Sequence, residues 1–119
     1  MISKLNSMQR RSPRGRFLLW ESAMLTYLVT LTIIVDRAIY EPHLPDHLAY
    51  LAQLKAAGHL LLSGPATDRR GGFVLLQADS LATARDLVEG DPLVARGLDS
   101  YEIREWRITE GQPQQIVPS

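Results

Sequence analysis

The sequence contains no cysteine among its 119 residues. Disulfide bonds, thiolate nucleophiles and cysteine-ligated zinc or iron–sulfur centres are therefore excluded. A cysteine-free chain is typical of a reducing compartment, so we expect a cytoplasmic location.

Long apolar runs are also missing from the start of the chain. In residues 1–23 the only such run is Phe17–Trp20, which is too short for a signal-peptide core or a membrane span. We expect residues 1–23 to be a disordered extension, although an Arg-rich, acid-poor start is also typical of transit peptides and Met24 is an alternative start. The 119 residues fit one domain, expected at 24–109, followed by a flexible tail at 110–119.

Positive charge is scarce beyond the first 20 residues. Those 20 hold five of the 13 basic residues and none of the 13 acidic ones, so the other 99 hold eight bases and 13 acids. An acidic body offers no basic face for a phosphate backbone. We therefore expect neither a nucleic-acid partner nor a membrane partner.

Apolar periodicity predicts four strands and two long helices in the order β-α-β-β-α-β. Ser80 is a predicted N-cap of the second helix, Asp91-Pro92 is predicted to open a short helical turn, and Gly58 and Gly97 are predicted helix terminators. No periodicity is found from Asp36 to Pro45. The strands are expected at residues 25–35, 59–63, 72–78 and 100–108, and the helices at 45–57 and 81–90.

This order is that of the α+β ferredoxin-like fold, with a four-stranded antiparallel sheet and both helices on one face. The first three strands carry apolar residues on both faces, for example Val74 and Leu76 opposite Phe73 and Leu75. The face without helices therefore needs a cover. A second copy of the chain, sheet against sheet, would provide one, so we expect a homodimeric α/β barrel.

Three histidines are the candidates for acid–base chemistry, at His43, His47 and His59. The first two have metal-ligand spacing for a helix, but Pro45 lies between them and no third ligand is nearby, so we expect no metal. His47 falls in the first turn of a helix, where the helix dipole opposes protonation and keeps the imidazole able to act as a base. A half-buried histidine that only packs over the sheet remains the alternative, as an ordinary N-cap does for Asp91.

Two segments resemble the YciI-like proteins of the dimeric α/β barrel superfamily: HLAYLAQLKAAGHLLLSGP at 47–65 and GDPLVARGL at 90–98. The resemblance covers about residues 25–108 and implies that His47 and Asp91 form an active-site pair, with Asp91 accepting the ring N–H of His47. Leu44 departs from the pattern, because many relatives have Arg there, and no anion-binding role is carried over.

The resemblance also implies cofactor-free proton transfer or elimination on a small hydroxylated or aromatic compound, in a pocket between the sheet and the first helix. We expect the pair to meet near the short turn after the second helix, and expect Ser63, Gly64, Pro65 and Trp106 to contact substrate. Arg69 and Arg70 form a hairpin tip that could meet an anionic substrate, but a solvated loop is the simpler interpretation.

Two other functions stay open. A non-catalytic ligand-binding or interaction domain is one, because YciI-like modules also occur fused to other proteins. A cofactor-free monooxygenase is the other, and it is disfavoured because such pockets are usually rich in Trp, Asn and Tyr, whereas Asn occurs only at Asn6.

Overall fold

Four antiparallel strands organise the domain in the computed structural model, which describes residues 24–111. The expected N-terminal extension at 1–23 and residues 112–119 of the expected tail lie outside the described part. The strand order in the sheet is β2-β3-β1-β4, and each neighbouring pair is antiparallel. The strands are β1 (Leu25–Ile33), β2 (Leu60–Pro65), β3 (Gly71–Ala78) and β4 (Asp99–Glu105).

Two long helices connect the strands, one after β1 and one after β3, which confirms the predicted ferredoxin-like order. Two short helices and a 3₁₀ turn accompany them. The helices are α1 (Arg37–Tyr40), α2 (Leu44–Ala56), α3 (Leu81–Glu89) and α4 (Pro92–Ala95), with the 3₁₀ turn at Glu41–His43. Among them, none is long and apolar enough to cross a bilayer.

The core lies between the sheet and the helices α2 and α3. Alternation along β1 places Tyr27, Val29 and Leu31 on the helix side, and all three are buried. Burial of such side chains is the main stabilising contribution, at roughly 1.5–3 kcal/mol each. The largest cluster combines strand and helix residues: Val29, Leu31, Leu51, Leu54, Val74, Leu76 and Val88.

Two glycines end helices as the sequence predicts. Gly58 and Gly97 have φ angles of 85° and 74°, in the left-handed region that glycine adopts without a steric penalty. After α2, the amide of His59 donates to the carbonyl of Leu54 at 2.9 Å, a closing hydrogen bond that requires this turn. The chain therefore reverses sharply from α2 into β2.

The structure departs from the prediction between Asp36 and Pro45, where α1 and the 3₁₀ turn replace an irregular loop. The amides of Ile39 and Tyr40 both donate to the carbonyl of Asp36, at 2.9 and 3.1 Å. The prolines are tolerated because each lies in the first turn of its helical segment, where its missing N–H has no intrahelical partner anyway.

The last strand is shorter than the predicted 100–108. The Trp106 amide donates to the Thr26 carbonyl at 2.8 Å, and the neighbouring strand β1 begins at Leu25. Beyond this point β4 has no strand left to pair with.

Candidate active site

His47 and Asp91 lie within hydrogen-bonding distance, with Nδ1 of the imidazole 2.7 Å from Oδ2 of the carboxyl group. On α2, His47 shares one face with Leu51 and Leu54, at i, i+4 and i+7. The side chains of His47 and Asp91 are 12% and 6% exposed, respectively. This contact is the one expected from the sequence, and the catalytic role assigned to it stays a prediction.

Asp91 serves two partners at once. Its Oδ1 accepts a hydrogen bond from the Leu93 amide at 2.9 Å, which caps α4, while Oδ2 faces His47. A carboxylate has only acceptors, so the imidazole proton in this contact belongs on Nδ1. This tautomer leaves Nε2 of His47 with a free lone pair.

A cavity of about 550 Å³ lies between α1, α2 and the β2–β3 hairpin, with β1 at its base. His47 lines it, whereas Asp91 does not. The expected pocket between sheet and first helix is therefore present, but the hairpin lines it and the turn before α4 does not. Asp91 contacts the imidazole of His47 from outside the cavity lining. The strand and helix residues around the cavity include Leu31, Ile33, Leu48, Leu51 and Val74.

Leu48 shows how the cavity changes the packing of α2. The sequence places Leu48, Leu51 and Leu54 on one apolar stripe, yet only the last two are buried and Leu48 is 61% exposed. Because Leu48 borders the cavity, it presents apolar surface to whatever enters.

Ser63, Gly64 and Pro65 also line the cavity, where the sequence analysis expects them. A β-bulge between Leu60 and Leu62 is responsible for the placement of Ser63. Leu60 pairs with Leu76 and Ser63 pairs with Val74, two residues on the helix side of β3. Without the extra residue, alternation would turn Ser63 to the opposite face.

Two arginines line the cavity, Arg37 on α1 and Arg69 at the tip of the β2–β3 hairpin. Arg37 donates from Nη2 to the carbonyl of Arg69 at 2.6 Å and lies 3.6 Å from the carboxylate of Glu41. Arg69 has a φ of 66°, uncommon for a residue with a side chain. The bond from α1 therefore fixes the hairpin tip beside the cavity. Arg37 was not predicted, because α1 itself was not.

A second polar pair lies next to the first. Tyr40 lines the cavity, and its hydroxyl donates to Oδ2 of Asp99 at 3.3 Å. Burial raises the pKa of Asp99 from 3.8 to about 6; the negative charge of Asp91 adds to this, while the Tyr40 hydrogen bond and His47 oppose it. Burial, followed by the neighbouring Asp99, raises the pKa of Tyr40 well above 10.0. Neither residue was predicted from the sequence.

Trp106 is separated from these residues. It follows β4 opposite Thr26, on the sheet face away from the helices, and is 47% exposed. It does not line the cavity of His47. Any contact it makes with substrate would have to occur on that other face.

His43 is engaged elsewhere, since Nη1 of Arg96 lies 2.8 Å from its Nδ1 and 2.9 Å from Oδ2 of Asp46. Within residues 24–111 no group of three or more His, Cys, Asp or Glu side chains is arranged to hold a metal ion.

The domain thus combines a ferredoxin-like sheet, with both long helices on one face, and a histidine-lined cavity beneath the first of them. Its family follows from the sequence: residues 25–107 match the YCII-related domain, and the chain belongs to that family.

Two known proteins are similar to the chain. The uncharacterized protein YjpA of Bacillus subtilis is 38% identical over 85 residues, covering 71% of this chain and 98% of YjpA. The 5-chloro-2-hydroxyhydroquinone dehydrochlorinase TftG of Burkholderia phenoliruptrix, solved with 2,5-dihydroxybenzoquinone, superimposes with a TM-score of 0.61 at 24% identity over 70% of this chain and 94% of TftG. The likeness to TftG shows the shared fold.

Proposed function

We propose that this protein is a cofactor-free enzyme of the lyase or isomerase type, with His47 as general base and Asp91 as its orienting partner. The 2.7 Å contact between Nδ1 of His47 and Oδ2 of Asp91 carries the proposal. It supports a fixed tautomer whose second nitrogen is available at the wall of a cavity.

The proposed reaction begins with proton transfer from a substrate O–H or C–H bond to Nε2 of His47. The electron pair of that bond moves into the conjugated system of the substrate. In an elimination it continues to expel a leaving group, and in an isomerisation the imidazolium returns the proton at another atom. Asp91 stabilises the imidazolium by accepting the Nδ1 hydrogen bond, and a base of this kind contributes roughly 10²–10⁴-fold in rate.

The substrate we propose is a small hydroxylated or aromatic compound. A volume of about 550 Å³ falls within the roughly 300–1,000 Å³ typical of small-molecule pockets. Leu31, Leu51 and Val74 supply apolar walls, and His47 and Ser63 supply polar groups. TftG was solved with a dihydroxybenzoquinone, which guides the choice of test compounds.

We further propose that residues 24–109 form a homodimer through the sheet face away from the helices. Phe73 is 49% exposed on that face, and Trp106 is 47% exposed. None of the described helices packs there, and a second sheet would remove this apolar surface from water. The cytoplasmic location expected from the sequence also stays a prediction.

Substitution of the pair tests the proposal. Substrates are first sought by thermal shift with hydroxylated aromatics and lactones, because a ligand at 100 times its Kd stabilises by about 2.7 kcal/mol. His47→Gln and Asp91→Asn should then each lower turnover by about 10²–10⁴-fold. Asn still caps a helix well, so stability should change by less than about 2 kcal/mol.

His43→Gln is the matched control, since this histidine lies four residues earlier and outside the cavity lining. It should leave turnover unchanged. Ligand binding without turnover in the wild type would favour the non-catalytic binding domain instead. Unfolding of both site variants, with no separate effect on ligand, would assign the pair a structural role.

A further inference from the structure

We propose that the Tyr40 hydroxyl is a further polar contact for ligand in the cavity, and that Asp99 decides whether this hydroxyl accepts or donates a hydrogen bond. The inference rests on the proposed function, in that a small hydroxylated or carbonyl-bearing ligand occupies the cavity. Tyr40 reaches the cavity wall from α1, and His47 reaches it from α2.

The hydrogen bonds of Asp99 are incomplete although the side chain is buried. The residue is 4% exposed, and among residues 24–111 its Oδ1 has no hydrogen-bond partner and its Oδ2 has only the Tyr40 hydroxyl, at 3.3 Å. That separation is long for an O–H···O bond, which usually measures about 2.5–3.0 Å. A buried polar group left unsatisfied calls for an explanation, and Tyr40, which bonds to Asp99, connects this carboxyl group to the cavity that Tyr40 lines.

The protonation state of Asp99 fixes the direction of the hydrogen bond. An ionised carboxylate can only accept, so Tyr40 donates to it and offers its oxygen lone pairs to a ligand hydroxyl. A protonated Asp99 can donate to the phenol oxygen, which frees the Tyr40 O–H to turn toward a ligand carbonyl or oxyanion. The cavity would thus select hydrogen-bond donors in one state and acceptors in the other.

The charged and titratable groups around Asp99 come from three elements. Helix α1 contributes Tyr40, which has Arg37 near it, α2 contributes His47, and Asp91 precedes α4. Burial, to which the negative charge of Asp91 adds, raises the pKa of Asp99 to about 6. The Tyr40 phenol keeps its proton in either state, because its own pKa is raised.

Two probes of similar shape test the inference by calorimetric titration at pH 5 and pH 7.5. Hydroquinone both donates and accepts hydrogen bonds, whereas 1,4-dimethoxybenzene only accepts. The dimethoxy probe should bind about 5- to 10-fold more tightly at pH 5, as one added hydrogen bond allows, and hydroquinone should change little. Tyr40→Phe and Asp99→Asn should both remove this pH difference, and Tyr40→Phe should also weaken hydroquinone by about 5- to 10-fold.

Tyr101→Phe is the control, because that hydroxyl bonds to Glu89 outside the cavity lining, and it should leave both affinities unchanged. A second measurement needs no ligand: the ring Cζ chemical shift of Tyr40 should titrate with a midpoint near pH 6 in the wild type and stay flat in Asp99→Asn. A flat wild-type titration would overturn the inference.

The remaining outcomes separate this inference from the proposed function. Probe binding that Tyr40→Phe leaves unchanged overturns the inference alone. Failure of the wild type to bind either probe overturns the ligand contact together with the proposed binding of aromatics. If Asp99→Asn does not fold, the conservative Tyr40→Phe variant decides by itself.

Discussion

Replacing Asp99 with Asn should change how stability depends on pH. The folded-state pKa of Asp99 is raised from 3.8 to about 6, so between these values the native state binds a proton that the unfolded chain releases. The contribution of Asp99 to the free energy of unfolding of the wild type is therefore largest below about pH 4. It falls as the pH rises from about 4 to 6 and stays lower above that range. An asparagine side chain cannot titrate, so the variant should lack this decline.

The rise in the pKa of Asp99 from 3.8 to about 6 corresponds to about 3 kcal/mol, at about 1.4 kcal/mol per pKa unit. Relaxation of the protein around a buried charge lowers the cost of ionisation, so the expected effect is about 1–2 kcal/mol. Relative to wild type, Asp99→Asn should thus gain about 1–2 kcal/mol between pH 4 and pH 7.5. A difference in unfolding free energy between Asp99→Asn and wild type at pH 4 reflects the hydrogen bonds of the asparagine side chain. The quantity to measure is therefore how this difference changes with pH.

Urea unfolding at pH 4, 5, 6 and 7.5 provides the assay, at one fixed protomer concentration because a dimer links stability to concentration. The other titrating groups are common to both proteins and largely cancel in the difference. Gln53→Ala, at an exposed position on α2, removes no titratable group and should show a difference that does not vary with pH. A pH-independent difference for Asp99→Asn as well would refute the reasoning.

The remaining predictions concern assembly, the chain ends and a helix cap. Light scattering should give a dimer at micromolar concentration, with Phe73→Glu shifting it toward monomer; a wild-type monomer would contradict the sheet-to-sheet interface. Deleting residues 1–22 and 111–119 should leave the Tm and ligand binding nearly unchanged, and a loss of several degrees would mean that an end packs on the domain. Ser80→Ala should lower stability by about 1 kcal/mol in chemical denaturation, because the Ser80 hydroxyl accepts the Thr83 amide at 3.1 Å. Ser100→Ala, exposed on β4, should have little effect.

The predictable parts of the fold are those encoded over short stretches of chain. Ser80 caps α3 through its own side chain, as predicted, and Asp91 caps α4. Tyr101 and Trp106 lie on opposite faces because strand alternation is strict there. Each of these features depends on neighbours only a few residues away, so the sequence alone was sufficient to predict them.

The parts of the site that were not predicted depend on elements too short to show apolar periodicity, or on contacts between distant parts of the chain. Helix α1 has four residues, one turn, so no apolar repeat marks it. Arg37 and Tyr40 were missed with it. Asp99 was missed because its partner is 59 positions away in the chain. The face of Ser63 depends on a bulge in β2 that no residue type predicts.

Because of the bulge in β2, even-numbered residues before it and odd-numbered residues after it face the helices. Leu60, before the extra residue, and Ser63, after it, both face the helices although their numbers differ by three. Inserting or deleting one residue within Leu60–Pro65 would therefore invert one half of the strand, exposing a core leucine or turning Ser63 out of the cavity. A change of length in the loop at 67–70 would preserve both faces. The cavity can thus be resized at the hairpin tip, while the strand beneath it must keep its length.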